Sequence, residues 1–393
     1  MHFHKLQGDE IFTGTKMLTG NNVIVLKDDG AFEAIIEKQD AGEDVQRVEG
    51  LLCPGFINAH CHLELSHMYG LIPEKTGLVD FVFRIVTERH HSEEKILNFI
   101  AEAEAKLITA GTVAVGDICN NSTTYNQKQK GNLSYYNFIE ASGWLPPVSV
   151  ERFARAKKLY DHFRHLPNNK SAIIPHAPYS VSAELWQLMI PYFTNNTISI
   201  HNQETPHEDE FFEKGTGDFL RMYNKMTIDN SFHVPSKQSS LKSYFQNLSS
   251  ARSVILVHNT FTKQSDIEFV KTHTSTGQLI SFCICINANQ YIEDALPPLD
   301  LFKKNNCDII LGTDSLASNH SLSMLDEMKT VQQKFPSTAL EEMLQWATLN
   351  GAVALQMDDK FGSFEKGKSP GVNLIQNIIN GNLSEASAVR KIF

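Results

Sequence analysis

Eight short apolar runs recur along this chain, most with a helix-like stretch between them, and a polar, chemically useful residue stands at or just past the end of nearly every one. The runs lie near Ile57 and over 112–118, 136–140, 172–176, 197–201, 254–258, 280–287 and 308–314. Continuous apolar runs of this length, rather than alternating ones, suit strands covered on both faces, as in parallel sheets. Two architectures fit: a closed (β/α)8 TIM barrel and a doubly wound open sheet. The polar residues decide between them. His60, His62, His176, His201, His258 and Asp314 would converge on one mouth at the C-terminal ends of barrel strands, whereas an open sheet would spread them along an edge. The sequence therefore predicts an α/β barrel.

The helices are less regular than the strands. Residues 92–110 carry Ile96, Leu97, Ile100, Ala103 and Leu107 at helical spacing, with Gly111 as a C-terminal stop. Further helices are expected over 208–226 and 338–355, the latter opened by a Thr338–Glu341 capping box. The ends of the chain have a different texture. Residues 1–53 and 361–393 contain short β-type runs broken by turn signals such as Asp28-Asp29-Gly30, Gly367 and Gly371. We expect both ends to build one small β-sandwich domain, with the barrel spanning 54–360.

The strongest chemical signal is Pro54-Gly55-Phe56-Ile57-Asn58-Ala59-His60-Cys61-His62. In an extended segment His60 and His62 share a face and Cys61 takes the other. Two imidazoles aimed at one point form half a site for zinc or a neighbouring first-row metal, although two surface histidines at a strand end would read the same way. His201, with Glu204 three residues on, adds a third imidazole and a carboxylate able to move protons. Asp314 ends the eighth run, where it is either a fourth ligand or a helix N-cap. Glu140 and Asn287 end the third and seventh runs. Glu64 and Ser66 follow the histidine pair, where they meet a substrate or tie down a loop. Arg84, Glu88 and Arg89 lie on a segment that either folds over the mouth or is an exposed helical face.

Composition limits the partners. A formal charge of −10 over 393 residues disfavours a nucleic-acid backbone or an anionic membrane, both of which need a basic face. No apolar run approaches the roughly 18 residues of a membrane span, and residues 1–8 show no signal-like apolar stretch. Six cysteines without a Cys-x-x-Cys pair read as reduced and buried, Cys61, Cys283 and Cys285 as packing. The expected setting is the cytoplasm, the expected partner a small molecule, with a homo-oligomer open.

Together with the first motif, His201 and Glu204, Leu256-Val257-His258-Asn259, Gly312-Thr313-Asp314-Ser315-Leu316-Ala317-Ser318-Asn319, residues 347–352 and residues 362–368 resemble the amidohydrolase superfamily in its deaminase and chlorohydrolase branch. The resemblance implies a barrel with a small β domain, and one divalent metal, zinc or iron, held by His60, His62, His201 and Asp314. It gives Glu204 the proton shuttle and has His258 and Asp314 orient the attacking water. Binuclear members carry a lysine at the fourth strand end. Here that end reads Pro175-His176-Ala177-Pro178-Tyr179-Ser180, so one metal is expected, with His176, Tyr179, Glu64, Glu140 and Ser315 as substrate contacts. The implied reaction is hydrolytic deamination of an aminated heterocycle. A guanine or pterin deaminase, a chlorohydrolase and a cyclic-amide hydrolase are the alternatives, and a non-catalytic scaffold would lack the ligands. Guanine-specific members have glutamine where this chain has Leu65, and residues 81–90 lack the tryptophan-rich, Pro-x-Glu ribose grip of members acting on S-adenosylhomocysteine. The 62–66 run, Gly70, the 81–89 segment and residues 211–220 are more similar to aminodeoxyfutalosine-deaminase-like members, which points to the 6-aminopurine of an adenosine-like nucleoside.

Overall fold

The computed structural model describes residues 3–393. Its centre is two four-stranded parallel sheets. The first runs in the order Phe56–Cys61, Thr112–Cys119, Ser134–Ala141, Lys170–Pro175, and the second in the order Thr197–Asn202, Ser253–His258, Leu279–Ile284, Asp308–Leu311. Backbone hydrogen bonds join the sheets at both edges. His201 N donates to His176 O at 3.0 Å on one side, and Thr313 N and Asp314 N both donate to His60 O at 3.0 Å on the other. The result is a mixed α/β fold in which all eight strands point the same way, as the apolar runs require, and the largest hydrophobic core lines them.

Glycine makes two close approaches possible. A Cβ on Gly55 would meet Val113 Cγ1 at 2.3 Å, so only glycine lets the chain turn into the first strand. A Cβ on Gly312 would meet His60 Cβ at 2.8 Å, so the eighth strand passes the first closely enough to set Asp314 beside the histidines.

Strands from both ends of the chain share a sheet. One sheet takes Phe3–Gln7, Asn22–Lys27, Phe32–Glu37 and Val45–Arg47. The other takes Glu10–Phe12, Met17–Thr19 and Leu51–Pro54 from the beginning of the chain, and Val372–Gln376 and Ala388–Lys391 from its end. Leu6, Ile24 and Leu26 of one sheet share a core with Ile11, Leu52 and Leu374 of the other, and Phe32 stacks on Phe364.

Three local expectations are corrected. The 208–226 stretch is two helices, Pro206–Lys214 and Phe219–Lys225, because Gly215 (φ +70°) and Gly217 (φ +97°) turn left-handed between them. The helix expected from Thr338 starts at Leu340. Glu342, not Glu341, caps it by accepting from Ala339 N at 3.0 Å, while Glu341 accepts from Met17 N at 3.0 Å. It also passes through a π turn, Trp346–Asn350, before Gly351 packs on Ile57. Finally, Asn287 lies inside the helix Ile286–Glu293, beyond the end of its strand, and its amide nitrogen donates to Glu327 Oε1 at 2.9 Å.

Candidate active site

His60, His62, His201 and Asp314 are all buried and their donor atoms converge. His62 Nε2 lies 3.2 Å from His60 Nε2, 3.3 Å from His201 Nε2 and 3.3 Å from Asp314 Oδ1, and His60 Nε2 lies 3.5 Å from Asp314 Oδ1. A tetrahedron of zinc–nitrogen bonds of about 2.1 Å has edges of about 3.4 Å, so these four separations match those between donors around one divalent cation. Tautomers agree. His201 Nδ1–H donates to His176 O at 2.8 Å, leaving the Nε2 lone pair free for a cation. Burial pulls His62 down to about 3 and His201 well below the usual imidazole range, helped by neighbouring imidazoles, so both stay neutral. Burial opposes ionisation of Asp314, but the hydrogen bond to His60 and the electrostatic contact with the His62 and His258 rings outweigh it and hold the carboxyl well below the usual carboxylate range. A second acid–imidazole group, Glu140, His176 and His201, also clusters, but His201 Nδ1 is already engaged.

Beside the donor set stand Glu204 and His258, with Glu204 Oε1 3.6 Å from His258 Nε2. Burial, then the charge of Asp314, pushes Glu204 well above the usual carboxyl range. His258 Nδ1–H donates to Asn289 Oδ1 at 2.9 Å, and Asn289 Nδ2 donates back to His258 O at 3.2 Å, which fixes the ring with its Nε2 lone pair toward Glu204. Ser318 Oγ–H donates to Asp314 Oδ2 at 2.6 Å and holds the carboxylate's other oxygen. The backbone is left-handed at Gln203 (φ +45°), His258 (φ +72°), Asn259 (φ +56°) and Asp314 (φ +58°), so three strand ends turn sharply where their side chains enter the site.

A cavity of about 560 Å³ opens over this centre. His176, Tyr179, Glu64, Glu140 and Ser315 line it, as do His62, His201, Glu204, His258 and Asp314. His176 Nδ1–H donates to Ser180 Oγ at 2.7 Å, because the Ser180 hydroxyl itself donates to Ala177 O; His176 Nε2 is then a free acceptor. Burial lowers His176 to about 4. Tyr179 stacks on Phe219 at 4.2 Å. Burial raises Glu64 and Glu140 to about 7 each. Ser66 turns away from the cavity and ties its own loop through Leu63 O. The helix Leu78–Glu88 does lie over the mouth: Leu78, Phe81, Val82 and Ile85 face the cavity, and Arg89 reaches it, while Arg84 and Glu88 pair with each other at 3.5 Å on the outer face. Asp80, also outside, takes two bonds from Arg221 (2.7 and 3.0 Å) and clasps this helix to Phe219–Lys225.

Sequence reasoning missed the residues that hold the site from behind. Asn58 shares the inward face of His60 and His62 by the same two-residue period, which is a signal that could have found it. Asn289 and Asn120 carry no such signal, since each acts through a partner remote in sequence, whereas Ser318 stands only four residues past Asp314. Behind the first strand, outside its inward face, Asp117 Oδ1 accepts from Leu63 N at 2.8 Å, while its Oδ2 pairs with Lys128 Nζ at 2.5 Å; both side chains are fully buried.

Parallel strands whose C-terminal ends gather three imidazoles, a carboxylate and a second buried carboxyl define a hydrolase acting on a small molecule, with a site suited to a divalent metal. The model of the amidohydrolase family matches residues 51–388, and the chain belongs to that family. It is similar to the 5-methylthioadenosine/S-adenosylhomocysteine deaminase of Saccharophagus degradans, with 25% identity covering 88% of this chain and 76% of that protein. The aminodeoxyfutalosine deaminase of Nitratiruptor sp. is 24% identical over 87% of this chain and 83% of its own length. Among solved structures, Helicobacter pylori aminofutalosine deaminase in complex with methylthio-coformycin superposes with a TM-score of 0.79 at 21% identity, covering 97% of this chain and 93% of that one.

Proposed function

We propose that the chain is a hydrolytic deaminase that converts the 6-aminopurine of an adenosine-like nucleoside to its 6-oxo form and releases ammonia. The observation that carries this reading is Glu204, a buried carboxyl whose Oε1 lies 3.6 Å from His258 Nε2, beside the converging His60, His62, His201 and Asp314. Zinc is the ion we assign, with iron its competitor; when bound it lowers the pKa of water toward neutrality. Glu204 then accepts a proton from the attacking water and delivers it to the ring nitrogen next to the amine, and a second transfer releases ammonia. His258 and Asp314 orient the water. His176 Nε2 and Ser315 meet the heterocycle, and the apolar face of the Leu78–Glu88 helix keeps bulk water out.

The same reading takes the two parallel sheets as one closed (β/α)8 barrel over residues 54–360, with 1–53 and 361–393 as a separate β-sandwich domain. The hydrogen bonds across both sheet edges support closure. Six free cysteines support a reducing cytoplasmic setting, and no helix among the described residues is long and apolar enough to cross a membrane. The relatives' activities, on 5-methylthioadenosine, S-adenosylhomocysteine and aminodeoxyfutalosine, support the adenosine-like substrate.

The test is the ultraviolet shift of a 6-aminopurine becoming a hypoxanthine, run with ammonia detection over a panel of adenosine-type nucleosides, guanine, a pterin and a chlorotriazine. Comparable or better kcat/KM for guanine, or chloride release in place of ammonia, overturns the substrate assignment.

A further inference from the structure

One polar cluster on the cavity wall takes no part in the proposed chemistry. Asn120, just past the second strand, donates its backbone N–H to Glu64 Oε2 at 3.0 Å and its side-chain Nδ2 to Glu140 Oε2 at 2.8 Å. The amide thus bridges two carboxyl groups from different strand ends and holds them side by side. Glu64 is 3% exposed and Glu140 9%, and all three residues line the cavity. Glu140 Oε1 is buried without a hydrogen-bond partner among the described residues. The polar group of His201 closest to it, Nδ1, is 3.7 Å away and already donates to His176 O. An unpaired buried acceptor is costly and calls for a donor.

Resting on the deaminase reading, we infer that Glu64, Asn120 and Glu140 form the subsite for the vicinal 2′,3′-diol of a ribose carried by the purine. Two adjacent carboxyl groups repel an anion, and Arg89 on the same wall disfavours a cation, so the fitting occupant is neutral and donates hydrogen bonds. A cis-diol does so with two hydroxyls on neighbouring carbons, matched to two acceptors braced by one amide. Leu78, Phe81, Met222 and Ile228 elsewhere on the wall are apolar and offer no side-chain acceptor. The assignment accounts for residues 81–90, which supply no carboxylate of the Pro-x-Glu kind: here the diol is taken from below, by strand ends.

Calorimetric binding of inosine and of 2′,3′-dideoxyinosine to the metal-loaded protein tests this without turnover. The expected result is at least about tenfold weaker binding of the dideoxy compound, the scale of losing hydrogen bonds to carboxyl acceptors, and a shrinkage of that ratio to within about twofold in Glu140→Gln. Equal affinities in the wild type, failure of inosine to bind, or an undiminished ratio in Glu140→Gln would overturn it. If Glu140→Gln does not fold, the same ratio measured in Glu64→Gln takes its place. Ammonia release from the matching adenosines reports separately on the deaminase reading: turnover blind to the diol removes the subsite and leaves the reaction, whereas absence of turnover with intact discrimination does the reverse.

Discussion

Asn58 and Thr313, 255 residues apart, hold each other reciprocally: Asn58 Nδ2 donates to Thr313 Oγ1 at 2.7 Å, and Thr313 N donates to Asn58 Oδ1 at 3.1 Å. Both are fully buried. Because His60 follows Asn58 by two residues and Asp314 follows Thr313 by one, this pair sets the first and last strand ends side by side and brings His60 and Asp314 together.

The chain should hold one equivalent of a divalent metal. Elemental analysis of protein purified without added metal checks this, and His201→Ala or Asp314→Ala should lose metal and activity together. Chelation should lower the melting temperature, because a cation that binds only the folded state stabilises it by mass action. Two equivalents, or none, would contradict the site.

Glu204→Gln should keep its metal and lose roughly 10²-fold or more in kcat, the scale of removing a general acid or base. Metal content and turnover measured on one preparation separate the two roles. Loss of the metal would make Glu204 a ligand.

Lys128→Met should destabilise the fold by about 3–5 kcal/mol, since it leaves the fully buried Asp117 carboxylate unpaired. Urea unfolding measures it. The double variant with Asp117→Asn should recover part of the loss, because the residual charge is gone.

Glu208 gives the fold a pH dependence. Its Oε1 accepts from Gln203 N and Ser240 Oγ, its Oε2 is buried without a partner, and burial raises it from 4.5 to about 8. Between those values the folded carboxyl keeps a proton that the unfolded chain has lost, so stability should fall as pH rises through this window and level off above it. The slope from this one group is at most about 1.4 kcal/mol per pH unit. Glu208→Gln keeps an oxygen for Gln203 and Ser240 and should flatten the profile; melting curves from pH 5 to 9 compare the two.

The strands and the polar residues gathered at their ends were legible in the sequence for the same reason. Parallel strands covered on both faces must be apolar throughout, so a histidine or aspartate at the end of such a run stands out. Helix boundaries were harder. Residues 208–226 keep an apolar face throughout, and only the left-handed turn at Gly215 and Gly217 separates the two helices. Glu341 and Glu342 are equally good caps on paper, and the contact with Met17, over 300 residues away, removes one of them. Lys128 could not be foreseen at all: it lies in a polar segment, and its burial depends on a carboxylate that the neighbouring strand supplies.

The left-handed corners at Gln203, His258, Asn259 and Asp314 bear on how this chain could be improved. Side chains with a Cβ hold that conformation at a cost of order 1 kcal/mol each, a cost glycine avoids. A selection for heat resistance that ignores turnover would therefore favour glycine at these corners. At His258 and Asp314 each degree gained would remove a group the proposed chemistry needs, so on that proposal the hardiest version of this sequence and the most active one are different sequences.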